Sequence, residues 1–257
     1  MPVRRLLVLI LLLPLFTGSV HALDVINLFE GDFIEDGTVI DSGTTVNVLG
    51  GDIGLSVDLS DGILNIESGT VAVGATGIGT GFTNNNNQVR LSGGTVGGFF
   101  QLTNGTNLDI SGGEIESFGV FSNSTANITG GTVSRFPDIF ASGSVNIRGG
   151  DIFAIRVFAG GEVNLFGTEF FIDGQALDLT FGEEFVITDR NVNLSGFLED
   201  GSFIETDLNT VFGSFGGNNP DGAAAGARVT VTFVPEPGST VLLLVGAGIA
   251  MIRRNRN

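Results

Sequence analysis

One short pattern recurs seven times between residues 46 and 170. Each copy opens with an apolar, a polar and an apolar residue, and most copies continue into Gly-Gly. The copies start 18, 25, 19, 18, 19 and 18 residues apart, at Val46, Leu64, Val89, Leu108, Ala126, Val145 and Val163. A fixed period near twenty residues is typical of a solenoid, in which each repeat forms one coil of a stack.

The chemistry of one repeat indicates the kind of solenoid. Apolar, polar, apolar alternation places the first and third side chains on one face, as a β-strand requires. Gly-Gly then predicts a turn, because glycine tolerates positive φ. Three short strands and their turns fit into 18 or 19 residues, whereas a helix does not. We therefore predict an all-β fold, a parallel β-helix (β-solenoid) that we take as right-handed by analogy with known β-helices. The 25-residue copy contains Asn84–Asn87 and predicts a loop insertion.

The N-terminal residues carry a different pattern. Residues 1–22 combine Arg4-Arg5, an apolar run over residues 6–16 and a small residue at Ala22, which together predict a secretory signal peptide cleaved between Ala22 and Leu23. An uncleaved anchor is the alternative, although the run is short for a membrane span. Residues 23–45 are acidic, strand-like and out of register with the repeats, so we predict an N-terminal cap that covers open strand edges.

The period is lost after residue 170. Residues 171–233 alternate as antiparallel strands do, at 185–187, 192–194 and 229–233, and predict a β-rich C-terminal cap. Residues 234–257 contain Pro235-Glu236-Pro237, an apolar run over 241–252 that predicts a short transmembrane helix, and a basic end. That end contains Arg253, Arg254 and Arg256. Such an arginine cluster holds its side of an apolar segment in the cytoplasm.

This three-part tail resembles the PEP-CTERM sorting signal of Gram-negative bacteria. The resemblance covers about 24 residues, including the whole Pro-Glu-Pro core. It implies recognition by an exosortase-type membrane protease, which would remove the tail and pass the protein to the cell surface or extracellular matrix. The family is associated with exopolysaccharide and biofilm production. The repeats, with 166–171 and 188–196, also look like planctomycete surface proteins that carry this tail, and that second resemblance names no activity.

The residue types present restrict the chemistry of any active site. His21 is the only histidine and lies in the predicted signal peptide, and the chain has no cysteine or lysine. Ser-His-Asp and Cys-His catalysis, Schiff-base chemistry and the usual zinc sites are therefore excluded from the processed protein. Carboxylate pairs could still cleave glycosides, but the pairs Glu183-Glu184 and Asp58 with Asp61 have the character of turn residues. We expect no catalytic residues and no enzymatic activity.

Charge points to the kinds of partner. Residues 23–236 contain all 28 acidic residues but only 6 of the 11 arginines, a net charge of 6 − 28 = −22. Such a surface repels nucleic acid and anionic lipid and attracts cations. Asp151 and Glu169 follow the Gly-Gly position in successive repeats, so we predict them to lie on adjacent coils. Two neighbouring carboxylates make a weak candidate calcium site, with solvated repulsion as the alternative. No other cofactor is expected.

Two outward columns of side chains follow from the register. One consists of the centres of the triplets, Asn47, Asn65, Arg90, Asp109, Asn127, Asn146 and Asn164. Stacked asparagine amides can hydrogen-bond along a solenoid, which favours a structural ladder over a ligand-binding strip. The other column follows Gly-Gly and mixes threonine with acids, which is unlike the regular threonine ranks of ice-binding solenoids.

These observations predict a secreted or cell-surface structural or adhesive protein of a Gram-negative-type bacterium. It would be anchored transiently in the inner membrane through its tail and would end in the extracellular matrix or biofilm. The alternative is a polysaccharide-binding β-helix, or one that degrades polysaccharide with carboxylates alone.

Overall fold

The computed structural model describes residues 24–40, 42–54, 57–59, 61–72, 87–210 and 221–235, and these residues form strands and turns but no helix. The strands are β1 Val25–Phe29, β2 Phe33–Ile34, β3 Val39–Ile40, β4 Thr45–Ile53, β5 Asp58–Leu59, β6 Ile63–Val71, β7 Gln88–Leu91, β8 Thr95–Leu102, β9 Asn107–Ile110, β10 Glu114–Val120, β11 Thr125–Ile139, β12 Ser144–Ile152, β13 Arg156–Val157, β14 Glu162–Ile172, β15 Gln175–Ala176, β16 Glu184–Val186, β17 Asn193–Leu198, β18 Phe203–Asp207, β19 Gly222–Ala223 and β20 Arg228–Phe233. The predicted loop insertion, signal peptide and C-terminal helix lie mainly or wholly outside the described residues.

The triplets form one parallel sheet that runs the length of the molecule. Each of β1, β4, β6, β7, β9, β11, β12, β14 and β20 pairs in parallel with the next in this order. The pairing matches like positions of successive repeats, as with Ile128, Ile147 and Leu165. The chain thus forms a parallel β-solenoid of about six turns, which confirms the predicted all-β parallel solenoid.

Two other strand stacks complete the coils. The second stack consists of the residues that follow the Gly-Gly position in each coil. It runs in parallel through β2, the ends of β4 and β6, the start of β8 and β10, the middle of β11 and the end of β12. The last part of β8 begins a third stack that continues through β10, β11, β13 and β19. The apolar residues between the stacks form one continuous core, in which Val48, Ile66 and Ile147 are fully buried.

Glycine is required at two of the positions where the chain turns between the first two stacks. Gly69 has a φ of +90°, and a Cβ placed there would lie 2.0 Å from the carbonyl oxygen of Gly51 in the preceding coil. A Cβ at Gly93 would lie equally close, at 2.0 Å, to the carbonyl oxygen of Glu67. Coils about 4.8 Å apart leave no space for a side chain at these positions.

The phenylalanines of the described residues are divided between the core and the surface. Phe100, Phe118 and Phe170 are buried in the core, and others are exposed. The exposed ones are Phe29, Phe33, Phe153, Phe181, Phe185, Phe197 and Phe203.

The N-terminal segment is in register with the repeats, contrary to the predicted off-register cap. Ile26, Asn27 and Leu28 pair with Val46, Asn47 and Val48. β2 and β3 then pair with the corresponding strands of the next coil. The segment therefore forms a further coil of the solenoid. Its turn is closed by Asp32, whose carboxylate accepts a hydrogen bond from the Phe29 N–H at 2.9 Å, instead of by Gly-Gly.

The C-terminal segment contains both antiparallel strands and a return to the solenoid. β14 pairs antiparallel with β15 and β17, and β17 pairs antiparallel with β18. β20, predicted among antiparallel strands, is parallel to β14 and antiparallel to β16. Together β19 and β20 add a last layer to two of the parallel stacks, and β16 covers the outer edge of β20.

Candidate functional site

The centres of the triplets form one outward column along the first sheet. Strand pairing places its members in register. The members are Asn27, Asn47, Asn65, Arg90, Asp109, Asn127, Asn146, Asn164 and Thr230. Asn27 and Thr230 extend the predicted column by one position at each end.

Hydrogen bonds join this column into a directional ladder. The Nδ2 of Asn47 donates to the Oδ1 of Asn27 at 2.8 Å, and Asn65 donates to Asn47 at 2.8 Å. After Arg90 and Asp109, which lie opposite each other, a second run begins in the same direction. It comprises Asn127 to Asp109 at 2.8 Å, Asn146 to Asn127 at 2.9 Å, Asn164 to Asn146 at 3.0 Å and Thr230 Oγ1 to Asn164 at 2.6 Å. The predicted structural ladder is confirmed.

The second outward column is continuous only in part. Asp52, Thr70, Thr95, Glu114, Thr132 and Asp151 pair in succession. The pairing of β12 with β14 ends at Ile147 and Leu165, and Glu169 lies opposite Phe197 of β17 instead.

The prediction that Asp151 and Glu169 pair on adjacent coils is therefore wrong. β14 leaves the stack after Gly167 in order to pair with β17, and the turn at Asp200 bonds to the coil of Asp151 instead. The Asp200 carboxylate accepts a hydrogen bond from the Gly150 N–H at 2.9 Å. Among the described residues, no group of three or more histidine, cysteine, aspartate or glutamate side chains could hold a metal ion.

A buried ion pair lies on the third strand stack. Asp138 and Arg156 occupy paired positions of β11 and β13, and their side chains are 0% and 3% exposed. Both carboxylate oxygens of Asp138 accept hydrogen bonds from the Arg156 guanidinium, through Nε and Nη2. Burial raises the pKa of Asp138, although the hydrogen bonds and charge of Arg156 oppose that shift.

One aromatic ring packs against this ion pair, and three others stack two residues further along their strands. The guanidinium carbon of Arg156 lies 3.5 Å from the ring centroid of Phe136. The rings of Phe121, Phe140 and Phe158 stack along the solenoid axis with centroids 4.1 and 4.5 Å apart. Sequence reasoning missed this site, and the available signal was the separation of Asp138 from Arg156 by 18 residues, one coil.

Two acidic pairs were predicted to be turn residues, Glu183-Glu184 and Asp58 with Asp61. Their described side chains have structural roles. Glu183 accepts hydrogen bonds from the backbone N–H and hydroxyl of Thr180, and that backbone bond is the main cause of the lowered pKa of Glu183. Glu184 and Glu162 both pair with Arg228 and so link β20 to each of its neighbours. Asp61 occupies a turn with φ of 47°.

A second partly buried carboxylate lies where the last layer joins the solenoid. Asp221 accepts hydrogen bonds from the N–H of Ile155 at 3.2 Å and of Asp207 at 3.4 Å. Burial is the main cause that raises the pKa of Asp221 from 3.8 to about 6, and the nearby charges of Asp207 and Glu205 add to it.

This raised pKa predicts a pH dependence of stability. The folded protein holds the Asp221 proton more tightly than the unfolded chain, so the stabilising effect is complete below about pH 4 and is lost as the pH rises through about 6. Solvent screening of a partly buried group reduces the effect to about 1–2 kcal/mol. We expect Asp221→Asn to be more stable than wild type by this amount at neutral pH and about equal to it at acid pH, as measured by urea unfolding.

The exposed Asp178→Asn variant removes the same charge and serves as the control for net repulsion. An equal gain in both variants would show that burial of Asp221 contributes nothing.

The predicted processing residues lie at or beyond the limits of the described residues. Pro235 is the last described residue, and Ala22, Leu23, Glu236, Pro237, Arg253, Arg254 and Arg256 lie outside them. The described residues include no helix long and apolar enough to cross a membrane.

No protein family model, no curated protein and no solved structure matches the chain at a significant level.

Proposed function

We propose that the protein is a structural or adhesive component of the cell envelope or matrix, exported by its signal peptide and sorted by an exosortase-type system. The observation that carries this proposal is the side-chain ladder from Asn27 to Thr230. The outward amides form hydrogen bonds with one another, and the core beneath them is continuous from coil to coil. This arrangement suits a stiff spacer.

The dimensions of the stack also suit a spacer. Nine successive strands at about 4.8 Å separation give a rod of about 40 Å. The predicted net charge of the exported part favours solubility and repulsion between neighbouring rods. Both properties are useful in a matrix protein that must remain extended.

The last described strand ends next to the predicted sorting signal. β20 ends at Phe233, and the N–H of Val234 donates to the carbonyl oxygen of Gly167 at 2.8 Å. The prolines of Pro235-Glu236-Pro237 oppose continuation of regular structure. Cleavage after this point would leave all the described strands intact, which supports the proposed processing.

Removal of the tail is the direct test of sorting. The apolar run over 241–252 would span only about 18 Å as a helix, against a hydrocarbon core of about 30 Å. It therefore suits a transient anchor. We expect the surface form of the protein to lack the residues after the Pro-Glu-Pro region, and mass spectrometry of the surface fraction of the native host checks this.

Replacing Pro235, Glu236 and Pro237 together by alanine should leave a longer form at the inner membrane. Alanine at Pro220, in the part that is predicted to be exported but outside the tail, is the control. An exported protein that still ends in Asn257 would make the tail an ordinary anchor and contradict the sorting proposal.

Polysaccharide binding is the second candidate function, and one observation favours it. Beside the ladder, a second polar rank lies in register on the same sheet and consists of Gln88, Asn107, Thr125 and Ser144. Amide and hydroxyl groups in parallel ranks can hydrogen-bond to the hydroxyl groups of an extended glycan. A glycan-binding array, run beside an activity screen on acidic polysaccharides, separates binding, cleavage and the purely structural function.

A further inference from the structure

Exposed aromatic rings and carboxylates share the outer face of the C-terminal antiparallel sheet. Phe197 of β17 and Phe203 of β18 occupy paired positions, and they are 40% and 54% exposed. Their ring centroids are 5.3 Å apart in an edge-to-face arrangement. Glu205 follows Phe203 by two positions on β18, and Glu169 of β14 lies opposite Phe197. Because alternate residues of a strand share a face, these four side chains form one patch, which we call the aromatic–acidic face.

The same chain shows what a neighbouring ring and carboxylate hold. The guanidinium carbon of Arg156 lies 3.5 Å from the ring centroid of Phe136, and Arg156 is also bonded to Asp138. Phe136 and Asp138 are two positions apart on β11, as Phe203 and Glu205 are on β18. The aromatic–acidic face therefore repeats the arrangement that binds Arg156.

A second arginine is held in the same way at the protein surface. The guanidinium carbon of Arg148 lies 3.7 Å from the ring centroid of Phe166, and Arg148 pairs with Glu199 at 2.7 Å. The side chains of Arg148 and Glu199 are 41% and 37% exposed. A planar guanidinium can stack on an aromatic ring while it donates to a carboxylate. The arrangement therefore does not require burial.

Within the described residues, no arginine occupies the aromatic–acidic face. Neither Glu169 nor Glu205 forms an ion pair with a described residue. Residues 23–236 contain six arginines, and each already forms hydrogen bonds within the chain. The six are Arg90, Arg135, Arg148, Arg156, Arg190 and Arg228. The predicted processed chain, or a second copy of it, thus offers no unbonded arginine, so an arginine for this face must come from another molecule.

We propose that the aromatic–acidic face binds an arginine-rich segment of another protein. One guanidinium would stack on Phe203 and donate to Glu205, and a second would pair with Glu169. A cleft of about 320 Å³ adjoins Glu169 and is also lined by Asp178, which gives the segment a further acidic position. Residues 23–236 carry a net charge of 6 − 28 = −22, which attracts a basic partner and repels an acidic one.

The two parts of this face predict two properties of the binding. The rings favour arginine over lysine at equal charge, because a guanidinium stacks on an aromatic ring whereas an ammonium is compact and strongly hydrated. The carboxylates make the binding weaker as the salt concentration rises, because salt screens exposed charges. A general attraction of cations to an acidic protein would show the second property without the first.

Fluorescence anisotropy with two labelled peptides tests the proposal. The peptides have equal length and charge, and alternate glycine with arginine in one and with lysine in the other. The protein is used as its host exports it, at low ionic strength. We expect wild type to bind the arginine peptide about threefold or more tightly than the lysine peptide. Phe203→Ala with Glu205→Gln should weaken binding of the arginine peptide by about tenfold and abolish the preference.

Phe153→Ala with Asp189→Asn is the matched control, because it removes one exposed ring and one exposed carboxylate elsewhere. It should leave both dissociation constants within about twofold of wild type, and circular dichroism checks that both double variants are folded. Equal weakening in the two double variants would overturn the proposal. It would also be overturned by equal affinity of wild type for the two peptides, or by no binding of the arginine peptide. None of these results bears on the sorting of the tail.

Discussion

Replacing Ile147 by aspartate is expected to destabilise the protein by about 4 kcal/mol or more, a large fraction of the stability of a typical domain. Ile147 is fully buried, with Ile128 and Leu165 at the same position of the adjacent coils. A carboxylate at this position would point into the apolar core, on the opposite side of the strand from the hydrogen-bonding amides of the ladder, and would remain unpaired. Urea unfolding followed by circular dichroism measures the loss.

The neighbouring substitution Asn146→Asp is the matched control. Asn146 lies on the outer face, where its Nδ2 donates to Asn127 and its Oδ1 accepts from Asn164. Aspartate retains the acceptor and loses the donor, so a cost of about 1 kcal/mol is expected. Equal losses in the two variants would refute the assignment of Ile147 to the core and Asn146 to the surface.

The parallel stack could be predicted because its determinants are local and repeated. Side chains alternate between the two faces of a strand, so each triplet by itself assigns Val145 and Ile147 to the core and Asn146 to the surface. Glycine marks the turns because adjacent coils leave no space for a Cβ at Gly69 or Gly93. Repetition at 18 or 19 residues then sets the register.

Two layers of the solenoid were missed because their turns or spacing differ. The triplet Ile26-Asn27-Leu28 precedes the first recognised repeat by 20 residues, but an aspartate turn replaces Gly-Gly after it. The triplet Val229-Thr230-Val231 returns to the stack 66 residues after Val163-Asn164-Leu165. Nothing local indicates that a strand so distant pairs with β14, because the intervening antiparallel strands have no period.

The pairing of Asp151 with Glu169 failed for a related reason. Both residues hold the same position in their repeats, but β14 exchanges its parallel neighbour for β17 after Gly167. That exchange depends on the hairpin of β17 and β18, which begins more than twenty residues after Gly167. The ion pair of Asp138 and Arg156 was missed because both residues lie on the third strand stack, outside the triplets and the Gly-Gly turns from which the register was predicted.

Removing one partner of that ion pair is the second substitution expected to have a large effect. Arg156→Ala leaves the buried Asp138 carboxylate without its bidentate partner, which typically costs about 3–5 kcal/mol. The loss should shrink as the pH is lowered, because burial already raises the pKa of Asp138 and protonation removes the unpaired charge. Urea unfolding of wild type and variant at neutral and acid pH measures both effects.

A double-mutant cycle separates the ion pair from simple loss of packing. Asp138→Leu with Arg156→Met replaces both charges by apolar groups, and replacements of this kind are often neutral or stabilising. We expect the double variant to lose no more than about 1 kcal/mol of unfolding free energy relative to wild type. This loss is far smaller than the sum of the losses in the single variants Asp138→Leu and Arg156→Met, since the effects of residues in contact are not additive. Strictly additive losses would mean that Asp138 and Arg156 contribute independently. The packing of Arg156 against Phe136 would then account for the whole effect of removing Arg156. Aromatic packing, including the stacked rings of Phe140 and Phe158, would stabilise the third strand stack without a contribution from the two charges.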